Sequence, residues 1–149
     1  MARIQILVGS VGGRALQTAT AVAHVLNRQG HRVRLNSEPE LNDLQQDHQE
    51  VLLVCCSTTG QGELPGELLP LFIALDNESI DLQQRCYGVI ALGDSSYPHF
   101  AQAGYLMEDA LYRSGAHRIG DICILDARHI DNHPLSAAMW ANDWVAQLT

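Results

Sequence analysis

The chain has 149 residues, of which 46% are hydrophobic and 17% charged, and its formal net charge at pH 7 is −8. This length corresponds to one domain, so we expect a single domain over residues 1–149. The negative charge argues against nucleic acid as a partner, because its phosphates would be repelled. No apolar run approaches the roughly 18 residues of a membrane span, and the N-terminus already reads as a strand, so neither a membrane segment nor a signal peptide is expected.

Apolar strand-like segments alternate with segments of helical period along the whole chain. Continuous apolar runs such as residues 51–54 are typical of strands that are buried on both faces of a parallel sheet. The alternation predicts an α/β fold: a doubly wound, five-stranded parallel sheet in a three-layer α/β/α arrangement. The predicted strands cover residues 3–8, 32–36, 51–56, 87–92 and 121–125.

Helical spacing of apolar residues identifies the main helices. One is predicted between the first two strands and ends at Gly30, one spans residues 101–114 and ends at Gly115, and a last one carries Trp140 and Trp144. The side chains predicted to face the core are Leu16, Ala19, Ala23 and Leu26 in the first helix, and Met107, Ala110 and Leu111 in the second.

Four cysteines, Cys55, Cys56, Cys86 and Cys123, lie within the strand-like segments. Adjacent cysteines on a strand point to opposite faces and do not form a disulfide framework, which favours a reducing, cytoplasmic location. The chain has no C-x-x-C pair, and the pair His129 and His133 has no partner ligands nearby in sequence, so no metal site is expected.

The loop after the first strand reads GSVGGRALQ over residues 9–17. Its backbone N–H groups from Ser10 to Ala15 can converge on an anion at the positive end of the following helix. It lacks both the GK[ST] of a triphosphate loop and the G-x-G-x-x-G of a pyrophosphate site, so a phosphate monoester is the remaining ligand. The alternative is a tight turn without a ligand.

Two further loops follow the third and fourth predicted strands. STTGQGELP, residues 57–65, provides flexible glycine backbone and threonine hydroxyls, while LGDSSYPHF, residues 92–100, carries Tyr97 and Phe100 among turn-forming residues. Parallel sheets bind ligands at the carboxyl ends of their strands, so the three loops together suit a phosphorylated planar cofactor, and flavin mononucleotide (FMN) has that shape. Tyr97 folded back onto the core is the alternative for that residue.

The second and third loops resemble those of the short-chain flavodoxin family, most closely the MioC/YqcA-type flavodoxins, and the resemblance covers nearly the whole chain. It implies strand order 2-1-3-4-5 and an FMN-binding electron carrier, with the Gly60 carbonyl facing N5 of the reduced ring and Tyr97 on the outer ring face. His99 lies inside the third loop and is included as a flavin-edge contact. The cofactor-binding residues so implied are Ser10, Val11, Gly12, Gly13, Arg14, Ala15, Ser57, Thr58, Thr59, Gly60, Leu92, Gly93, Asp94, Ser95, Ser96, Tyr97, Pro98, His99, Phe100 and Ala101.

The first loop departs from the family pattern, which has two or three more hydroxyl or amide side chains than Ser10-Val11-Gly12-Gly13-Arg14-Ala15. Each lost hydrogen bond is worth roughly 0.5–1.5 kcal/mol, which predicts weaker FMN binding. Arg14 offsets this loss if its guanidinium contacts the phosphate; otherwise it is a solvated first-turn residue. Thr59 also stands where many flavodoxins have a stacking aromatic, which predicts a less extreme reduction potential.

The function expected from the resemblance is a one-electron shuttle with no catalytic residue of its own. It would take electrons from an NADPH-dependent flavodoxin/ferredoxin reductase and pass them to an acceptor enzyme, with biotin synthase as one candidate. Glu63, Glu67, Asp94 and Glu108 are expected near the ring, where they would guide transient electrostatic docking of a monomer. The alternatives are an FMN-dependent quinone or azo reductase, and a flavodoxin-like module that has lost flavin binding.

Overall fold

Parallel strands and intervening helices alternate along the chain, in a computed structural model that describes residues 1–59, 62–77 and 80–148. The Gly60 prediction lies outside the described residues. A 3-10 turn spans Leu41–Leu44. The elements, in chain order, are β1 (Arg3–Gly9), α1 (Arg14–Arg28), β2 (Arg32–Asn36), β3 (Val51–Ser57), α2 (Leu69–Asn77), β4 (Cys86–Gly93), α3 (Gln102–Arg113), β5 (His117–Arg118), β6 (Cys123–Asp126) and α4 (His133–Val145).

The sheet is parallel throughout and has the order β2-β1-β3-β4-β5, with β6 also paired to β4. The predicted fold class and strand order are therefore confirmed. Strand order reverses between β1 and β3, which places a crevice at the carboxyl ends of these two strands.

The fifth strand differs from the prediction of residues 121–125 because it forms in two pieces. β5 pairs with the start of β4 and β6 with its end. Gly120 between them adopts a left-handed φ of 72°, and the preceding Ile119 carbonyl accepts a hydrogen bond from the indole N–H of Trp144 at 3.0 Å. The backbone therefore leaves the sheet at Gly120 and returns to it at Cys123.

Two apolar layers enclose the sheet, because successive residues of each strand point to opposite faces. Ile6 and Val8 of β1 pack with α1 and α4 on one face, whereas Leu7 of β1 packs with α2 and α3 on the other. This arrangement confirms the three-layer prediction. It also fixes the N-termini of α1 and α4 side by side at the carboxyl edge of the sheet.

The helix predictions hold with one exception on the buried face of α1. Ala19, Ala23 and Leu26 are buried as predicted, but Leu16 is 42% exposed. The buried stripe instead begins at Ala15 and continues through Thr18, so Leu16 lies about 100° around the helix from it. Gly30 and Gly115, with φ of 92° and 97°, follow α1 and α3 as predicted.

The cysteines carry free thiols, and burial raises the pKa of Cys56 and of Cys123 to about 12. In the described part of the chain, the helices are too short or too polar to cross a bilayer.

The centre of β4 accommodates the indole of Trp144, which is 1% exposed and stacks on Trp140 with ring centroids 5.6 Å apart. Trp140 itself is only partly buried. A Cβ added at Gly88 would lie 2.7 Å from Nε1 of Trp144. A glycine in mid-strand weakens a strand, so its presence here is explained by the close approach of this ring.

We predict that Gly88→Ala destabilises the protein by about 1–3 kcal/mol, because overpacking displaces Trp144 from its hydrogen bond to Ile119. Urea denaturation followed by tryptophan fluorescence measures the change. Gly66→Ala is the matched control, since a Cβ there meets no described atom within 4 Å. Equal stability of the two variants would contradict this packing account.

Candidate functional site

A cavity of about 410 Å³ lies at the carboxyl edge of the sheet, where the loops after β1, β3 and β4 meet. It is at the crevice that the strand order defines. The predicted residues that line it are Val11 and Arg14 from the first loop, Ser57, Thr58 and Thr59 from the second, and Leu92, Gly93, Asp94, Tyr97, His99, Phe100 and Ala101 from the third. Ser10, Gly12, Gly13, Ala15, Ser95, Ser96 and Pro98 belong to the same loops but do not line the cavity wall.

The first loop turns into α1 through two glycines in left-handed conformation, Gly12 with φ 69° and Gly13 with φ 84°. Gly13 is the N-cap residue of α1, and because it has no side chain it offers no acceptor to the N–H groups of the first turn. The first N–H groups of a helix have no intrahelical acceptor, so they remain available to an anion. The Ser10 hydroxyl accepts a long hydrogen bond of 3.4 Å from the Leu16 N–H.

The second loop is tied to the third through Thr58. Its N–H donates to the Leu92 carbonyl at 3.2 Å, and its hydroxyl oxygen accepts from the Ala103 N–H at 3.1 Å. Ala103 lies in the first turn of α3, whose own N-cap residue, Ala101, offers no side-chain acceptor. Thr58 therefore caps a helix from 45 residues away in the sequence.

Thr59 closes the second loop on itself. Its hydroxyl oxygen accepts from the Glu63 N–H at 2.9 Å, and its carbonyl accepts from the Gly62 N–H at 2.9 Å. A Cβ at Gly62 would lie 2.5 Å from the Cβ of His99, so this glycine lets the third loop approach. His99 is held in place by a 2.9 Å contact between its Nδ1 and Oε1 of Gln102.

The third loop presents Tyr97 to solvent beside the cavity. Tyr97 is 56% exposed and lines the cavity, so it is not folded back onto the core. Asp94 shapes the turn, because its Oδ1 accepts from the N–H and the hydroxyl of Ser96 at 2.8 and 2.5 Å, and these bonds lower the pKa of Asp94. The loop ends at Ala101, the non-glycine residue with a left-handed φ, 58°, in the described part of the chain. Such strain is concentrated at ligand-binding loops.

Asp126, which the sequence analysis missed, joins the loop after β6 to the third loop. Its Oδ1 accepts from the N–H groups of Ser95 and Arg128, both at 3.0 Å. Partial burial alone would raise the pKa of Asp126, but hydrogen bonds from the side chain and N–H of Ser95 and from the Arg128 N–H together outweigh burial and lower it to about 2. The turn-forming sequence DAR was the available signal; the partner, 31 residues away, was not predictable from it.

His133 was predicted only as one of a histidine pair without other ligands, but the structure places it in the cavity wall. It is 7% exposed, whereas His129 has a side chain that is 74% exposed and lies 3.8 Å from Asp126. The described residues contain no cluster of three or more potential metal ligands.

The prediction for Glu108 is wrong. Its carboxylate accepts from the Tyr87 hydroxyl at 2.7 Å and pairs with Arg118 at 3.1 Å. Tyr87 lies at the start of β4, about six residues or roughly 20 Å from the cavity at the strand's other end. The sequence predicted that Glu108 lies in a helix, but not the direction of that helix. Because α3 runs away from the cavity, Glu108 lies far from it. Asp94 lines the cavity. Glu63 lies within the second loop and is exposed, and Glu67 lies two residues beyond that loop and is half-buried.

Fold and cavity together define a doubly wound α/β protein with a ligand site at its topological switch point. The chain belongs to the flavodoxin family, whose model matches residues 6–140. It is 38% identical over 144 residues to the flavodoxin YqcA of Pectobacterium carotovorum subsp. carotovorum, covering 97% of this chain and 95% of that one. It is 33% identical over 145 residues to the MioC homolog of Haemophilus influenzae, covering 97% and 98%.

A solved structure supports the same assignment. A cysteine-to-serine mutant of a flavodoxin from Pseudomonas aeruginosa superimposes with a TM-score of 0.91 at 31% identity, covering 98% of each chain. The predicted family resemblance is thus confirmed. Members of this family are FMN-binding electron carriers, and FMN is the cofactor that the family assigns to this chain.

We predict that Thr58→Val destabilises the protein by about 0.5–2 kcal/mol, because α3 loses the oxygen that accepts from its Ala103 N–H. Thermal unfolding followed by circular dichroism gives the change. Thr58→Ser keeps the hydroxyl and should remain near the wild type; a valine variant as stable as the serine variant would show that this cap contributes nothing.

Proposed function

We propose that this chain is a one-electron shuttle that binds FMN in the cavity between its three loops. The phosphate would lie on residues 10–15 and the ring between residues 57–60 and 92–101. The observation that carries this proposal is the position of Tyr97, an exposed aromatic at the mouth of a cavity that also receives a glycine-rich helix N-terminus.

The residues present fit a phosphorylated flavin. Leu92, Tyr97 and Phe100 provide an apolar wall for a planar ring, while Arg14 lines the same cavity from the first turn of α1, where a helix N-terminus favours an anion. FMN supplies the redox chemistry when it is bound; the protein supplies binding, orientation and access.

The protein's own contribution is to hold one ring edge accessible. The side chains of Thr58 and Asp126 fix the loops by accepting hydrogen bonds from backbone N–H groups. Tyr97 would then cover one face of the ring without closing the cavity. Thr59 is a small residue whose hydroxyl is engaged by the Glu63 N–H of its own loop. It would leave the inner face of the flavin ring less covered than an aromatic side chain would. We propose on this ground a reduction potential less negative than that of an aromatic-flanked site.

The proposed partners are an NADPH-dependent flavodoxin/ferredoxin reductase as donor and a redox enzyme as acceptor, with biotin synthase as one candidate. The net charge of −8 and the acidic residues Glu63, Glu67 and Asp94 support transient docking to basic partners. We further propose that the 149 residues act as a monomeric single domain in the cytoplasm.

A flavodoxin-like module that no longer binds flavin is the second candidate. The first loop favours it, because Val11, Gly12, Gly13 and Ala15 offer no polar side chain to a phosphate. The two candidates differ in colour: after incubation with FMN and removal of the unbound cofactor, only an FMN carrier stays yellow.

We predict that the wild type binds FMN in a titration followed by visible absorbance. Tyr97→Ala should raise the Kd about tenfold or more, since loss of a stacking aromatic costs roughly 1–3 kcal/mol. Tyr112→Ala, a change of another exposed tyrosine at the far end of α3, should leave the Kd unchanged. Wild-type protein that is colourless once unbound FMN has been removed would favour the flavin-free module.

We predict that reduction by an NADPH-dependent flavodoxin reductase slows as salt is added, because screening weakens attraction between exposed charges. Glu63→Gln combined with Glu67→Gln should lower the rate at low salt and flatten its salt dependence, measured by stopped-flow absorbance. Asp143→Asn, on the C-terminal half of α4 away from the cavity, is the control. A rate independent of salt would contradict electrostatic docking, and rapid direct oxidation of NADPH would point to a quinone or azo reductase.

A further inference from the structure

A second cavity of about 270 Å³ lies between α1 and the segment that leads into α4. It shares Arg14, Ala127 and His133 with the cavity proposed to hold the flavin. These three residues therefore stand where the two cavities meet, at the end of the flavin cavity that is next to the glycine-rich loop.

Two helix N-termini converge on this junction. Arg14 is the first residue of α1 and His133 the first residue of α4, and the two helices pack against each other. A helix N-terminus carries partial positive charge and favours an anion. The side chain of Arg14 makes no ion pair and no hydrogen bond with the residues that the structure describes, so its charge is available to a ligand.

Polar groups at the junction lack partners, which is the independent sign of a ligand. His133 is 7% exposed, yet its imidazole forms no hydrogen bond to any described residue. The hydroxyl of Thr18, which lines the second cavity, is fully buried and also has no partner. By contrast, the hydroxyl of Thr20, two residues further along the same helix, donates to the Leu16 carbonyl at 2.8 Å. Buried polar groups are nearly always hydrogen-bonded, so a polar ligand is expected here.

The charged groups that face His133 come from α1, from the end of β6 and from the loop before α4. From α1 it faces Arg14; from the end of β6 it faces Asp126, whose Oδ1 is already occupied by the N–H groups of Ser95 and Arg128. Asp131, from the loop before α4, also lines the second cavity but is exposed to solvent. Arg14 and His133 are therefore the side chains at the junction that favour an anion.

We propose that Arg14 and His133 form a two-residue clamp for the terminal phosphate of FMN, and that His133 takes up a proton when this phosphate binds. The clamp rests on the proposed placement of FMN in the three loops. It gives a polar side-chain partner to a phosphate whose loop offers only one hydroxyl, that of Ser10. It also makes the site selective for FMN over riboflavin, which has the same ring but no phosphate.

The electrostatics of His133 support the proton uptake. Burial, and then the charge of Arg14, lower the pKa of His133 below its usual 6.5. The imidazole is therefore neutral at pH 7 before a ligand binds. A phosphate dianion beside it favours the charged form and raises its pKa. Because bound FMN favours the protonated imidazole, the protein should bind FMN more tightly as the pH falls from 8 towards 6.5.

The test compares FMN with riboflavin in titrations followed by flavin fluorescence. Arg14→Gln should weaken FMN binding about tenfold or more and His133→Gln about fivefold, because charge-assisted contacts to phosphate are lost, while riboflavin affinity changes less than about twofold. Arg28→Gln, at the other end of α1, and His129→Gln, outside both cavities, are the matched controls. Equal weakening of both ligands would show a structural role and overturn the clamp, as would FMN affinity unchanged by either variant. If wild type binds neither ligand, the proposed function fails instead.

A second measurement does not require that the His133 variant folds. In the wild type, the NMR titration of the His133 imidazole should shift to higher pH on saturation with FMN and stay in place on saturation with riboflavin. Inorganic phosphate should compete with FMN and not with riboflavin. A His133 titration that is the same with both flavins would overturn the proton uptake and the clamp.

Discussion

Hydrogen bonds from backbone N–H groups to side-chain oxygens of distant segments are the constraint on which the site depends. The regular ladder of the sheet ends with β3 and β4, yet the loops that follow must stay open enough to admit a ring. Thr58 resolves this for α3 by accepting from Ala103, and Asp126 resolves it for the third loop by accepting from Ser95. Each bond joins segments that are distant in the sequence, so the cavity walls support one another.

The first loop, at the end of the cavity proposed to hold the phosphate, is built differently. There the first loop contributes main-chain N–H groups and two left-handed glycines but few polar side chains. The basic side chains Arg14 and His133, from two different helices, lie where hydroxyls are lacking. If the proposed clamp is right, ring binding and phosphate binding are separable in this protein: stacking and loop hydrogen bonds serve the first, and charge serves the second.

The fold could be predicted from the sequence because its signals are local and repeated. A run such as residues 51–54 can be satisfied only by burial on both faces, and Gly30 marks the end of a helix on its own. The predictions that failed depended on contacts with residues distant in the sequence. The break at Gly120 depends on Trp144, the place of Glu108 on the direction of α3, and the burial of His133 on the packing of α4 against α1. The three site loops were found because their composition is unusual; Asp126 and His133, in ordinary sequence, were not.

The most direct test of the central claim is a crystal structure of the protein grown with excess FMN. The account predicts the isoalloxazine between residues 57–59 and Tyr97, with the phosphate between the first turn of α1 and His133. A structure in which Tyr97 covers the cavity itself, or in which the flavin binds at another surface, would contradict it.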